Sequence, residues 1–199
     1  MPIHSLIKMG GILYIFDFDN TIIQTTARIK VICSRSKNVI QALTSEEFNT
    51  YIKEDDHFLD FKEFECPEIL RNEIIHEKIF QSLKKKYDRG EKIAIVSARG
   101  SSELIHSFLL DAGINLVREM VIAIHEIGFP HQGSIKERKR KVVENFIKSG
   151  STKIEFIDDS MDNLNEISTL SDIYEIDLKI THVKNGKPKI VRRFQGIKI

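Results

Sequence analysis

Asp17 and Asp19 carry the first chemistry legible in this chain. Both follow directly on the apolar run Ile12 to Phe16, in the order Phe16-Asp17-Phe18-Asp19-Asn20-Thr21. Strict alternation would put the two carboxylates on one face of the strand end. Two anions so placed repel each other and lose hydration, so they persist only with a bound cation or a shared proton. Read alone, the same pattern also fits a solvated turn. Two further predicted strands end in polar groups: Lys92 to Val96 in Ser97, and Lys153 to Ile157 in Asp158-Asp159-Ser160. Between them lies a cationic stretch, Lys136, Arg138, Lys139, Arg140 and Lys141. Acids, a hydroxyl and ammonium groups brought to one place would suit the binding of a divalent cation.

The elements that must position these groups follow from periodicity. Runs that are apolar at every position read as strands buried on both faces, which implies a parallel sheet covered by helices. Ligands of such sheets bind beyond the carboxyl ends of the strands. The spacing of Ile69, Leu70, Ile74, Ile75, Ile79 and Leu83 predicts one long helix opened by Pro67 and stopped by Gly90. A second helix is expected from Ser101 to Gly113, and a short strand from Met120 to Ile124. A basic helix follows over Ser134 to Ser149, with Val142, Val143, Phe146 and Ile147 inward. A helix with Leu164 and Ile167, a strand near Tyr174 to Ile176, and a hairpin around Asn185-Gly186 complete the chain. The fold class is therefore α/β, a doubly wound, Rossmann-like parallel sheet with helices on both faces. Residues 22–66 read as a small cap-type insertion after the first strand, with an extended segment over Ile29 to Cys33 and a helix start at Thr44. Residues 178–199 read as a basic C-terminal hairpin, and residues 2–10 as a short lead-in.

At 199 residues the chain makes a single domain with room for a substantial core, and its 41% hydrophobic and 30% charged residues are ordinary for a globular protein. The net charge of +1 selects no partner, yet no acidic residue follows Asp177 while Lys179, Lys184, Lys187, Lys189, Arg192, Arg193 and Lys198 do. Cys33 and Cys66 form neither a disulfide framework nor a metal spacing, which fits a reducing, cytoplasmic setting. No stretch approaches the roughly 20 apolar residues of a membrane helix, and no signal peptide is apparent.

Taken in order, the strand-end motifs resemble those of the haloacid dehalogenase (HAD) superfamily of phosphohydrolases over about residues 11–170. Asp17-Phe18-Asp19-Asn20-Thr21 matches the first motif, Ser97 the second, a helix-opening lysine the third, and Asp158-Asp159 the fourth. The resemblance implies a Mg²⁺-dependent phosphatase acting on phosphoric monoesters through an aspartyl-phosphate. Asp17 would be the nucleophile and Asp19 the general acid and base. Ser97 and a lysine would bind the phosphoryl oxygens. Asp17, the Asp19 backbone carbonyl, and Asp158 or Asp159 would hold Mg²⁺. Valines three and four positions on favour Lys139 as that lysine, with Lys136 the alternative. Which of Asp158 and Asp159 is the principal ligand stays open, and Asp162 is a more distant candidate. Arg99 stands where polynucleotide kinase-phosphatase domains place a substrate-side arginine, but a surface arginine in a turn is equally compatible with the sequence.

An acid at Asp19 resembles the phosphatase or phosphotransferase branch. A small cap suits a phosphorylated small molecule, a nucleotide or a nucleic-acid end. The basic C-terminus allows a weak nucleic-acid contact, or else a charged edge that blocks strand addition. The competing reading is a non-catalytic polyanion-binding module on the same fold. Phe58, Phe61 and Phe64 are expected in the core rather than as a base-stacking platform, and no histidine shows ligand spacing.

Overall fold

The computed structural model describes residues 11–48 and 50–196; the lead-in over 2–10 and Lys198 lie outside them. In chain order the elements are β1 (Leu13–Phe16), β2 (Ile23–Gln24), β3 (Ile29–Cys33), β4 (Val39–Leu43), α1 (Ser45–Phe48), β5 (His57–Asp60), α2 (Pro67–Arg71), β6 (Ile74–Ile75) and α3 (Glu77–Asp88). They continue with β7 (Lys92–Ser97), α4 (Ser102–Asp111), β8 (Val121–Ala123), α5 (Ile135–Lys148), β9 (Lys153–Asp158), α6 (Met161–Ser168), β10 (Asp177–Lys184) and β11 (Lys187–Phe194).

Six strands form one sheet in the order β11-β10-β9-β1-β7-β8, parallel except for the antiparallel edge strand β11. This is the α/β architecture that the apolar runs imply. Leu13, Ile15, Ala94, Val96, Ile154 and Phe156 alternate onto one face, where Val142, Val143 and Phe146 of α5 and Leu164 and Ile167 of α6 pack over them. Each such side chain taken fully out of water contributes about 1.5–3 kcal/mol, so this face fixes the sheet against its helices. α3 runs against β7 and α4 against β8. The central β1 is flanked by β7 on one side and β9 on the other, so the chain winds outward from β1 in both directions. A crevice opens beyond the carboxyl ends at such a reversal.

The chain divides into two compact units, one of Met1–Gln24 with Ile74–Ile199 and the other Thr25–Glu73. The second contains the antiparallel sheet β4-β3-β5 around Ile29, Val31 and Leu43. Its helix α1 starts with reciprocal caps: the Glu47 N–H donates to Thr44 Oγ1 (3.0 Å) and the Thr44 N–H to Glu47 Oε2 (2.8 Å).

Three local readings are corrected. The long helix from Pro67 does not form. α2 ends at Arg71, the Glu73 carboxylate accepts the Thr26 N–H at 2.8 Å, and Ile74–Ile75 pairs with β2. Ile74 and Ile75 fit the helical spacing, yet Ile74 is 61% exposed. No strand spans Tyr174 to Ile176. Tyr174 instead hydrogen-bonds Glu144 through its hydroxyl (2.7 Å), and the strand begins at Asp177. Phe58 and Phe61 are exposed and Phe64 alone of the three packs on the small core, because β5 turns Phe58 outward. No helix among the described residues is long and apolar enough to cross a membrane.

Candidate active site

β1, β7 and β9 deliver Asp17, Ser97 and Asp158 to one edge of the sheet. The Asp17 N–H continues the ladder with a 2.8 Å bond to the Ile157 carbonyl. Parallel register alone thus closes a gap of more than a hundred residues. The chain then turns at Asn20, whose φ of 56° lies in the left-handed region that asparagine tolerates better than most residues.

Lys139 reaches the same edge from α5. It shares a helix face with Val142, Val143 and Phe146, at offsets of three, four and seven, and that face is the one packed on the sheet. Glu137 anchors the helix start, accepting the Ser134 N–H (2.8 Å) and Oγ–H (2.7 Å). Arg138 ties that end to the Ile124 carbonyl at 3.0 Å. The Lys139 ammonium is 2% exposed and donates to Asp17 Oδ1 at 2.6 Å and Asp158 Oδ2 at 2.8 Å. Lys136, the alternative, is exposed one turn earlier.

The two acids after β9 differ in role. Asp158 is fully buried and saturated: besides Lys139 it accepts the Ser160 N–H (2.8 Å) and the Asn163 amide on both oxygens (3.1 Å each). Asp159 is only half-buried, and one oxygen from each of Asp17, Asp158 and Asp159 fits within 4.8 Å of the others. Burial, joined by repulsion from Asp158 and only partly offset by Lys139, pushes the Asp17 carboxyl up to about 7. Burial and the Asp17 and Asp158 charges push Asp159 up to about 8. For Lys139, burial alone would lower the ammonium, but Asp158 and Asp17 outweigh it and hold it above its ordinary value.

Asp19 sits apart from Lys139 with a cation of its own. Arg99, 2% exposed, forks onto it through Nη2 to Oδ1 (2.7 Å) and Nε to Oδ2 (3.0 Å). The guanidinium also lies over the Phe18 ring, 5.4 Å from its centroid. Ser97 Oγ accepts the Arg99 N–H at 3.2 Å and lies 3.4 Å from Asp19 Oδ2. The surface-turn reading of Arg99 therefore fails. Asp162 is exposed.

Asn163 is the residue that sequence reasoning missed. Ser160 caps α6 and accepts the Asn163 N–H at 3.4 Å, so the third helical residue points back at the strand end. That cap-plus-three position was the available signal.

Four carboxylates and two cations converge here, which leaves a formal charge of −2. Clustered carboxylates driven towards protonation could offer hard oxygen donors to a divalent cation. A second grouping of ligating side chains, Glu54, Asp56 and His57, is more exposed, and its imidazole already stacks on Tyr51. Comparison with protein-family models, with curated proteins and with solved structures finds no match.

Proposed function

We propose that this chain is a Mg²⁺-dependent phosphomonoester hydrolase with the HAD-like arrangement that its strand-end motifs resemble. The observation that carries this reading is the buried Lys139 ammonium shared between Asp17 and Asp158 (2.6 and 2.8 Å), with Asp159 beside them. A lysine so placed holds two acids at one sheet edge and supplies positive charge where a phosphoryl group would gather negative charge.

Asp17 would attack phosphorus through a carboxylate oxygen. The ester oxygen would leave with its bond electrons and take a proton from Asp19. Water would then attack the aspartyl-phosphate, give its proton to Asp19 and restore Asp17 as inorganic phosphate departs. Mg²⁺ held by Asp17, Asp159 and the Asp19 backbone carbonyl would offset the repulsion between the nucleophile and an anionic substrate. Asp158, occupied by Lys139, Ser160 and Asn163, would orient Lys139 rather than serve as the main ligand.

Arg99 has a definite part in this scheme. Its guanidinium forks onto Asp19 and fixes that carboxylate at the sheet edge beside Ser97. A phosphoryl dianion would compete with Asp19 for the same guanidinium, so substrate binding and the position of Asp19 would be linked through one side chain.

The test is turnover of p-nitrophenyl phosphate with Mg²⁺ and with EDTA. Turnover should be lost in EDTA and fall by about 10³-fold or more in Asp17→Asn. A chelator-sensitive rate that survives Asp17→Asn would sink the mechanism.

A further inference from the structure

We infer that the β10–β11 hairpin extends the site into a binding surface for a single nucleic-acid strand, whose terminal phosphate is the group hydrolysed. This assignment rests on the phosphatase reading above and names its substrate class.

Register places the surface. β10 lies parallel to β9 with His182 beside Asp158, so the residues after His182 continue past the same sheet edge as the acids. Across the hairpin His182 faces Lys189 and Lys184 faces Lys187. Alternation then puts His182, Lys184, Lys187 and Lys189 on one face, while Val183 and Pro188 occupy the other. That cationic face runs directly to the site, because His182 Nε2 hydrogen-bonds the Asp159 backbone oxygen at 2.9 Å. The turn is anchored there too. Asn185 and Gly186 both have positive φ (50° and 67°), and a Cβ on Gly186 would come within 2.5 Å of His76 Nδ1. His76 in turn hydrogen-bonds the Asn20 backbone, next to Asp19.

Like charges directly opposite each other weaken a strand pair. Lysines on β11 alone would protect an exposed edge from strand addition. Lys184 lies two residues past the last pairing of β10 with β9 and faces Lys187 across the hairpin, so the two charges repel whatever they do for the edge. The three lysines are exposed and make no ion pair among the described residues. A row of phosphates supplies the missing counter-charge, and its last phosphate can enter the acid cluster.

The experiment compares single-stranded 12-mers bearing a 5′- or a 3′-phosphate with p-nitrophenyl phosphate. Each is assayed with the full chain and with Lys184→Gln/Lys187→Gln/Lys189→Gln. The wild-type kcat/KM ratio of oligonucleotide to p-nitrophenyl phosphate should fall at least tenfold in the triple variant. Anisotropy of a labelled 12-mer on the wild type should weaken with log salt at a slope near −2, from three phosphates at about −0.7 each, or roughly twentyfold for a fourfold rise in salt. An unchanged ratio, a flat salt response, or an equal lysine dependence for a phosphopeptide would overturn the assignment. Failure to turn over p-nitrophenyl phosphate would instead sink the phosphatase reading, and the anisotropy would still decide the surface.

Discussion

Replacing Lys139 with methionine removes one charge from a buried cluster and leaves its volume nearly unchanged. The ammonium donates to Asp17 and Asp158, which are 4% and 0% exposed. Without it, Asp17 and Asp158 lose the only cation paired with them among the described residues. Leaving a buried charge without its partner costs about 3–5 kcal/mol, against a total domain stability of about 5–15. With a urea dependence of about 2 kcal/mol per M, the unfolding midpoint in EDTA at pH 8 should fall by about 2 M. The deficit has a sign with pH. At pH 5 an unpaired carboxylate takes up a proton and escapes most of the penalty, so the variant should lie closer to wild type there. Mg²⁺ at a hundred times its dissociation constant should return about 2.7 kcal/mol at pH 8. The assay is urea unfolding followed by circular dichroism, at both pH values, with EDTA and with Mg²⁺. A midpoint loss under about 0.5 M at pH 8, or a loss larger at pH 5 than at pH 8, would refute the view that Lys139 neutralises buried acids.

Wild-type protein in EDTA should lose stability as pH rises from about 4 to about 7. The Asp17 carboxyl is raised from 3.8 to about 7 in the folded state, so over that window the folded chain binds more protons than the unfolded one. About three pH units at 1.36 kcal/mol each gives a decline on the order of 4 kcal/mol, and saturating Mg²⁺ should flatten it. Melting temperatures across the range check this; a curve that climbs from pH 4 to pH 7 in EDTA contradicts it. Asn163→Ala should cost about 1–3 kcal/mol in urea unfolding, because both oxygens of a fully buried Asp158 lose a donor. Asn163→Asp should be worse at pH 8 than at pH 5, since it adds a further carboxylate to an acid-rich cluster. An Asn163→Ala protein with wild-type unfolding would show that Asp158 does not depend on it.

Where burial pattern and element type agreed, the sequence was a sufficient guide. β1, β7 and β9 are mostly apolar and lead into polar residues, and their order fixed which ends meet. Lys139 was preferred over Lys136 on the aliphatic spacing that the resemblance supplies, and Val142 and Val143 do lie on the face packed against the sheet. The apolar spacing failed where it was ambiguous. Ile74 and Ile75 continue a helical series from Ile69, but a two-residue pairing with β2 and the hydrogen bonds of Glu73 to Thr25 and Thr26 prevail. Those competing bonds span 47 or 48 residues and leave no trace in a local window. The partners of Arg99 and Asn163 were hidden for a related reason. Each is defined by the carboxylate it serves, Asp19 at a separation of 80 residues and Asp158 at 5. Motif spacing names the groups that would react. The side chains that pair with those groups and orient them emerge only when the strands are laid side by side. The charge balance of such a site is therefore a property of the folded sheet edge rather than of any one segment.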